Sequence, residues 1–129
     1  MPLTDKALED VLTAEGWPFE RLDERTWRSA FQAPGETRFR FFLRLTDQWL
    51  FLTIVPFATL PEDGVGERAL MRRLLELNRT ITLAKFALDG RQIVLTVELP
   101  TEDLVASQIR DGLDALSYYA VQYHATLSR

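Results

Sequence analysis

Between Thr37 and Leu45 apolar and polar side chains alternate residue by residue. Phe39, Phe41, Leu43 and Leu45 fall on one side, and Arg38, Arg40, Phe42 and Arg44 on the other. A period of two predicts a strand with one face in a core. Upstream, Leu8, Val11 and Leu12 recur at helical spacing behind Thr4, a good N-cap, and before Gly16 and Pro18, which end a helix. That predicts a first helix over about Asp5 to Glu15. A strand begins at Glu20 to Leu22, is interrupted at Asp23-Glu24-Arg25, and continues over Thr26 to Gln32 with Trp27, Ser29 and Phe31 on one side. Ala33-Pro34-Gly35-Glu36 reads as a hairpin turn leading into the alternating strand.

Thr46-Asp47-Gln48 then turns the chain into a third strand, Trp49 to Phe57, which departs from simple alternation. Trp49, Phe51, Val55 and Phe57 point one way, interrupted by Thr53, while Leu50, Leu52 and Ile54 point the other. A strand apolar on both sides requires cover on both, from helices or from a second subunit. After a loop from Thr59 to Gly66, Leu70, Leu74 and Leu77 form the stripe of a second helix over about Glu67 to Thr80, widened by Met71 and Leu75. Ala84 to Leu88 and Gln92 to Leu99 read as two strands joined by Asp89-Gly90, a strong hairpin signal. Thr101, followed by Glu102 and Asp103, reads as the N-cap of a last helix running to about Thr126. The expected architecture is one α+β domain over residues 1–129, in the order α-β-β-β-α-β-β-α, with helices packed on an antiparallel sheet.

Composition narrows the function. A chain of 129 residues, 47% hydrophobic and 26% charged, can bury a core without disulfides. The absence of cysteine excludes thiolate chemistry, zinc–thiolate sites and iron–sulfur clusters. The start, Met1 to Lys6, lacks a basic segment followed by an apolar one, and the longest apolar stretch, Trp49 to Ala58, is too short to span a membrane. A cytoplasmic location is the expectation by elimination. A net charge of −4 argues against a phosphate-backbone partner.

Candidate chemistry is sparse. The single histidine, His124, sits late in the last helix without a serine on a nucleophile elbow. Glu62-Asp63 and Glu102-Asp103 suit a solvated loop and a helix start. Gly64-Val65-Gly66 suits a turn opening a helix and lacks a Walker lysine or a full dinucleotide fingerprint. The expectation is a protein with no enzymatic activity, cofactor or metal. Arg38, Arg40, Phe42 and Arg44 place cations and an aromatic on one strand face, a mixture that can serve phosphate contact and stacking. Tyr118, Tyr119 and Tyr123 cluster late in the last helix, with Tyr119 and Tyr123 on a shared face.

One stretch carries a resemblance. Leu74-Leu75-Glu76-Leu77-Asn78, then Phe86-Ala87-Leu88-Asp89-Gly90, then Ile93 to Pro100, resemble the YbjN-type family, described as sensory transduction regulators and similar in fold to the chaperones of type III secretion systems. The resemblance implies a dimeric α+β module that binds protein, holding an extended client segment by strand addition and apolar pockets. The partners it implies are a second copy of the chain and a protein client. The candidate interface residues are Leu70, Arg73 and Leu77 on the second helix, with Trp49 and Phe51 as a second surface. A nucleic-acid-binding regulator using Arg38, Arg40, Phe42 and Arg44, or a small-molecule sensor, is the alternative.

Overall fold

A computed structural model describes residues 1–35 and 37–127. Helix α1, Asp5–Ala14, starts where Thr4 accepts a hydrogen bond from the Ala7 amide at 3.1 Å, and stops before Gly16 at φ +78°. Its stripe is real: Leu8 and Leu12 are fully buried. Strands β1, Phe19–Asp23, and β2, Thr26–Gln32, form a hairpin. The expected interruption at residues 23–25 is therefore a reversal of direction, which adds a strand to the expected order. Arg25 takes φ +59° there, with no glycine or asparagine to announce it. Tertiary charge holds that conformation. The Arg25 guanidinium donates to Asp47 at 2.9 Å and to Asp5 at 3.1 Å, and these bonds, Asp47's foremost, raise its pKa above the ordinary arginine value.

Strands β3, Arg38–Leu45, and β4, Trp49–Thr59, follow as expected across the turn at Gly35, where φ is +84°. Glu36 of that turn lies outside the described residues. Helix α2, Gly64–Thr80, begins three residues before the expected Glu67, because the Asp63 carboxylate accepts the Gly66 amide as an N-cap. A Cβ on Gly66 would lie 2.7 Å from that carboxylate, so a larger residue there would displace the cap. Strands β5, Ala84–Asp89, and β6, Gln92–Pro100, pair through the Asp89-Gly90 turn, with Gly90 at φ +61°.

Helix α3, Ala106–Leu127, starts four residues later than a cap at Thr101 would place it. Thr101 is buried and donates its hydroxyl to the Asp47 carbonyl at 2.6 Å, so it cannot cap a helix. The side chain of Gln108 accepts the Val105 amide instead.

All six strands form one antiparallel sheet in the order β1-β2-β3-β4-β6-β5. Helices α1 and α3 press on a single face, against Trp27, Phe41, Leu43, Leu52, Leu95 and Val97. Gly112 lets α3 lie close to the sheet, since a Cβ there would meet Leu99 at 3.0 Å and Leu52 and Val97 at 3.3 Å. The other face stays bare along β4, so the expectation that both its sides are covered holds within this chain for one side only. Trp49 is 42% exposed, and Phe51, Thr53 and Val55 are half-buried. Phe57 departs from the expected parity. The β4–β6 register shifts between Ile54 and Ala58, which turns Phe57 into the core beside Phe39 and Phe86. Leu75, expected to widen the α2 stripe, is 73% exposed.

The two sheet edges differ. At β5, the Asn78 amide of α2 donates to the Phe86 carbonyl at 2.9 Å and accepts the Phe86 amide at 2.7 Å. One side chain thus satisfies an edge peptide on both sides, as a neighbouring strand would. At β1, no described residue hydrogen-bonds to the outer edge. Removing the Asn78 amide leaves two part-buried backbone groups unpaired, so Asn78→Ala should cost about 1–3 kcal/mol in denaturant unfolding. An unchanged midpoint would show that packing alone seals this edge.

Candidate functional site

The bare sheet face unites two groups of residues that the sequence nominated separately. Arg38, Arg40, Phe42 and Arg44 of β3 point to it, and so do Trp49 and Phe51 of β4. Arg44 stands opposite Phe51, Phe42 stands between Arg28 and Thr53, and Arg40 stands opposite Ala30. Further across, Thr53 and Thr96 share a hydrogen bond of 2.8 Å, and Lys85 pairs with Glu98 at 2.8 Å. The α2 candidates are not brought to this face. Leu77 is 4% exposed and packs in the core, Leu70 packs half-buried against it, and Arg73 is exposed. Leu70 and Arg73 border a depression of about 360 Å³ with Pro61 and Ala69.

Two other depressions meet at one corner of the sheet, where β1 begins. On the helix-bearing face, a groove of about 460 Å³ runs between Trp17 and Phe31 on one side and Ser117, Tyr118 and Val121 of α3 on the other, with the polar Gln32, Asp114 and Gln122 completing its lining. The Trp17 ring stands edge-on to Phe31 and Phe41, with centroids 6.0 and 5.6 Å away, and Phe31 stacks on Phe39. That packing fixes one wall. The other wall is open to solvent: Tyr118 is 63% exposed and Val121 44%. On the bare face, a depression of about 290 Å³ is lined by Arg28, Arg38 and Arg40 around Ala30, with Pro18, Phe19 and Glu20 at its rim.

Between these depressions runs β1, held firmly for an edge strand. Arg21 pairs with Asp5 at 2.6 Å and lies 5.0 Å above the Trp27 ring. Trp27 is fully buried and donates its indole N–H to Glu9 at 2.7 Å. Ion pairs and a cation–π contact thus tie the strand to α1 while its outer backbone edge stays open.

The sequence reading missed the groove. Its only local signs were an aromatic between Gly16 and Pro18 and the i, i+3 spacing of Tyr118 and Val121. The expected division of the tyrosines does hold. Tyr119 turns inward with Tyr123, and its phenol oxygen accepts the Thr82 amide and shares a hydrogen bond with the Thr82 hydroxyl, contacts that lower its pKa. His124 is half-buried, edge-on to Phe39 and Phe57, in place of the surface or capping position usual near a helix end. Among the described residues no cluster of His, Cys, Asp or Glu could hold a metal, and no helix is long and apolar enough to cross a membrane.

Residues 37–129, from β3 to the end of the chain, match the family model described as T3SS (YopN, CesT) and YbjN peptide-binding chaperone 1. The chain belongs to this family of peptide-binding chaperones. The fold agrees over nearly all of the chain. A chain in the crystal structure of the ExsC–ExsE complex is 22% identical, with a TM-score of 0.65 over 99% of this chain and 98% of that one. The HopA1–SchA chaperone–effector complex contains a chain 14% identical, with a TM-score of 0.63 over 93% and 91%. The heterodimeric ExoU–SpcU complex from the type III secretion system of Pseudomonas aeruginosa contains one 18% identical, with a TM-score of 0.61 over 93% of both chains. No curated protein matches the chain. The peptide-binding chaperone 1 family thus bears out the resemblance drawn from Leu74 to Pro100, and the fold of these complexes bears out the α+β class.

Proposed function

We propose that this chain is a non-enzymatic, cytoplasmic peptide-binding chaperone or regulatory adaptor that takes up an extended client segment as an added strand on β1. One observation carries the reading: Asn78 of α2 takes both backbone groups of Phe86 in the middle of the β5 edge, whereas the β1 edge has no such partner among the described residues and is tied to α1 by ion pairs. Strand addition supplies affinity through backbone hydrogen bonds and specificity through alternate side chains. The groove between Trp17, Phe31, Tyr118 and Val121 lies where such a strand would send apolar side chains on the helix-bearing face.

Self-association has its own surface in this proposal. Helix α2 runs along β5, with Asn78 at Phe86 and Glu67 beside Arg91 at 3.6 Å. On that flank Leu75 is 73% and Leu88 46% exposed. A homodimer through α2 and β5 would cover both and leave the β1 corner free. Leu77 is engaged in its own core, Leu70 and Arg73 border the other side of α2, and Trp49 with Phe51 form a second surface.

Two measurements test this reading. Tyr118→Asp with Val121→Asp alters two exposed positions, so unfolding should move by no more than about 1 kcal/mol. The same pair should weaken capture of valine-rich, extended peptides, read by fluorescence anisotropy, about tenfold or more, since two apolar side chains leave the groove. Unchanged affinity would remove the groove from the site. Light scattering should give a dimer mass for the parent and a monomer mass for Leu75→Asp with Leu88→Asp. A parent that is monomeric at every concentration contradicts the homodimer, and a dimer split instead by Trp49→Glu moves the interface to the sheet face.

A further inference from the structure

The depression on the bare face has an unusual balance of charge. Three guanidiniums, Arg28, Arg38 and Arg40, surround it against one carboxylate, Glu20, in a chain whose net charge is −4. Glu20 is bound to Arg28 at 2.7 Å. Among the described residues Arg38 and Arg40 have no carboxylate within ion-pair distance, although Arg21 of β1, Arg28 of β2 and Arg25 in the turn between them all do. The register explains the vacancy. Arg40 stands opposite Ala30 and Arg38 opposite Gln32, so β2 offers them no acid. Ala30, 7% exposed, forms a floor too small to fill the space between the arginines. Like charges two residues apart on one strand face repel, and an anion between them would relieve that repulsion.

The position of this cradle is as informative as its charge. It lies across the sheet from the apolar groove, at the same corner, with Pro18 and Phe19 lining one and Trp17 the other. Successive side chains of a strand point to opposite faces. We propose that the cradle of Arg28, Arg38 and Arg40 receives carboxylate side chains of the client, so that the segment recognised alternates apolar and acidic residues. This rests on strand addition at β1. Apolar side chains enter the groove of Trp17, Phe31, Tyr118 and Val121, and the intervening Asp or Glu side chains reach the arginines where the client runs past Phe19, since Ala30 to Gln32 of β2 have no β1 partner there. A carboxylate suits the forked guanidinium geometry. The net charge of −4 disfavours a polyphosphate.

The test uses three labelled peptides in which valine alternates with glutamate, glutamine or lysine, titrated by anisotropy with the full chain at low and high salt. The glutamate peptide should bind about fivefold more tightly than the glutamine peptide at low salt, as two exposed ion pairs would give, and the lysine peptide most weakly. Salt should erase the difference. Arg38→Gln with Arg40→Gln, both at exposed positions, should bring the glutamate peptide to the affinity of the glutamine peptide and leave the latter unchanged. Equal binding of the glutamate and glutamine peptides overturns the acidic reading and leaves strand addition standing. Failure of all three peptides to bind overturns both. Tighter binding of a single-stranded DNA oligonucleotide than of the glutamate peptide, lost in the same double variant, overturns the proposal in favour of a nucleic-acid site.

Discussion

A pair of hydrogen bonds from Asn78 to the peptide groups of Phe86 decides how the sheet can be used. An antiparallel sheet that does not close into a barrel has two edges, and each presents unpaired backbone groups that attract another strand. Here the chain returns from β4 through α2 to β5 at the rim, and β6 inserts between them. The helix therefore passes alongside the strand it has just led to. The asparagine carboxamide donates through its nitrogen and accepts through its oxygen, as a peptide group does, so it stands in for the missing strand at Phe86. The fold spends one edge on its own helix and presents the other.

The presented edge has to be stable without a partner. Five residues make a short strand, and charges at Glu20, Arg21 and Asp23 discourage indiscriminate pairing. Its rigidity comes from side chains on the helix-bearing face. Asp5 of α1 binds both Arg21 and Arg25, and Arg25 reaches on to Asp47 in the β3–β4 turn. Each exposed pair is worth little alone, but a network that shares Asp5 fixes strand, hairpin and helix together. A docking edge already in strand geometry spares an incoming segment part of the ordering cost of binding.

What could be read from the sequence, and what could not, divides along the range of the interaction. The alternation in β3, the Thr4 cap, the Gly90 turn and the Leu74–Leu77 stripe of α2 are local patterns, and the structure reproduces them. The β1–β2 turn escaped because Arg25 holds a left-handed conformation through acids twenty and more residues away. Thr101 looks like an N-cap locally, but its hydroxyl is engaged by Asp47, far back in the chain. Phe57 followed the parity of β4 until a register shift turned it inward. The site was half legible. Arg38, Arg40, Trp49 and Phe51 were nominated on residue type, yet their union on one bare face, and the groove of Trp17, Phe31, Tyr118 and Val121, depend on which face the helices choose.

Amide hydrogen exchange, with and without a bound extended peptide, reaches the central claim most directly. Strand addition at the open edge predicts slowed exchange at the amides of Phe19 to Asp23, with those of Ala84 to Asp89 unchanged, because Asn78 already occupies the β5 edge. New protection in β5 with none in β1 would contradict the account.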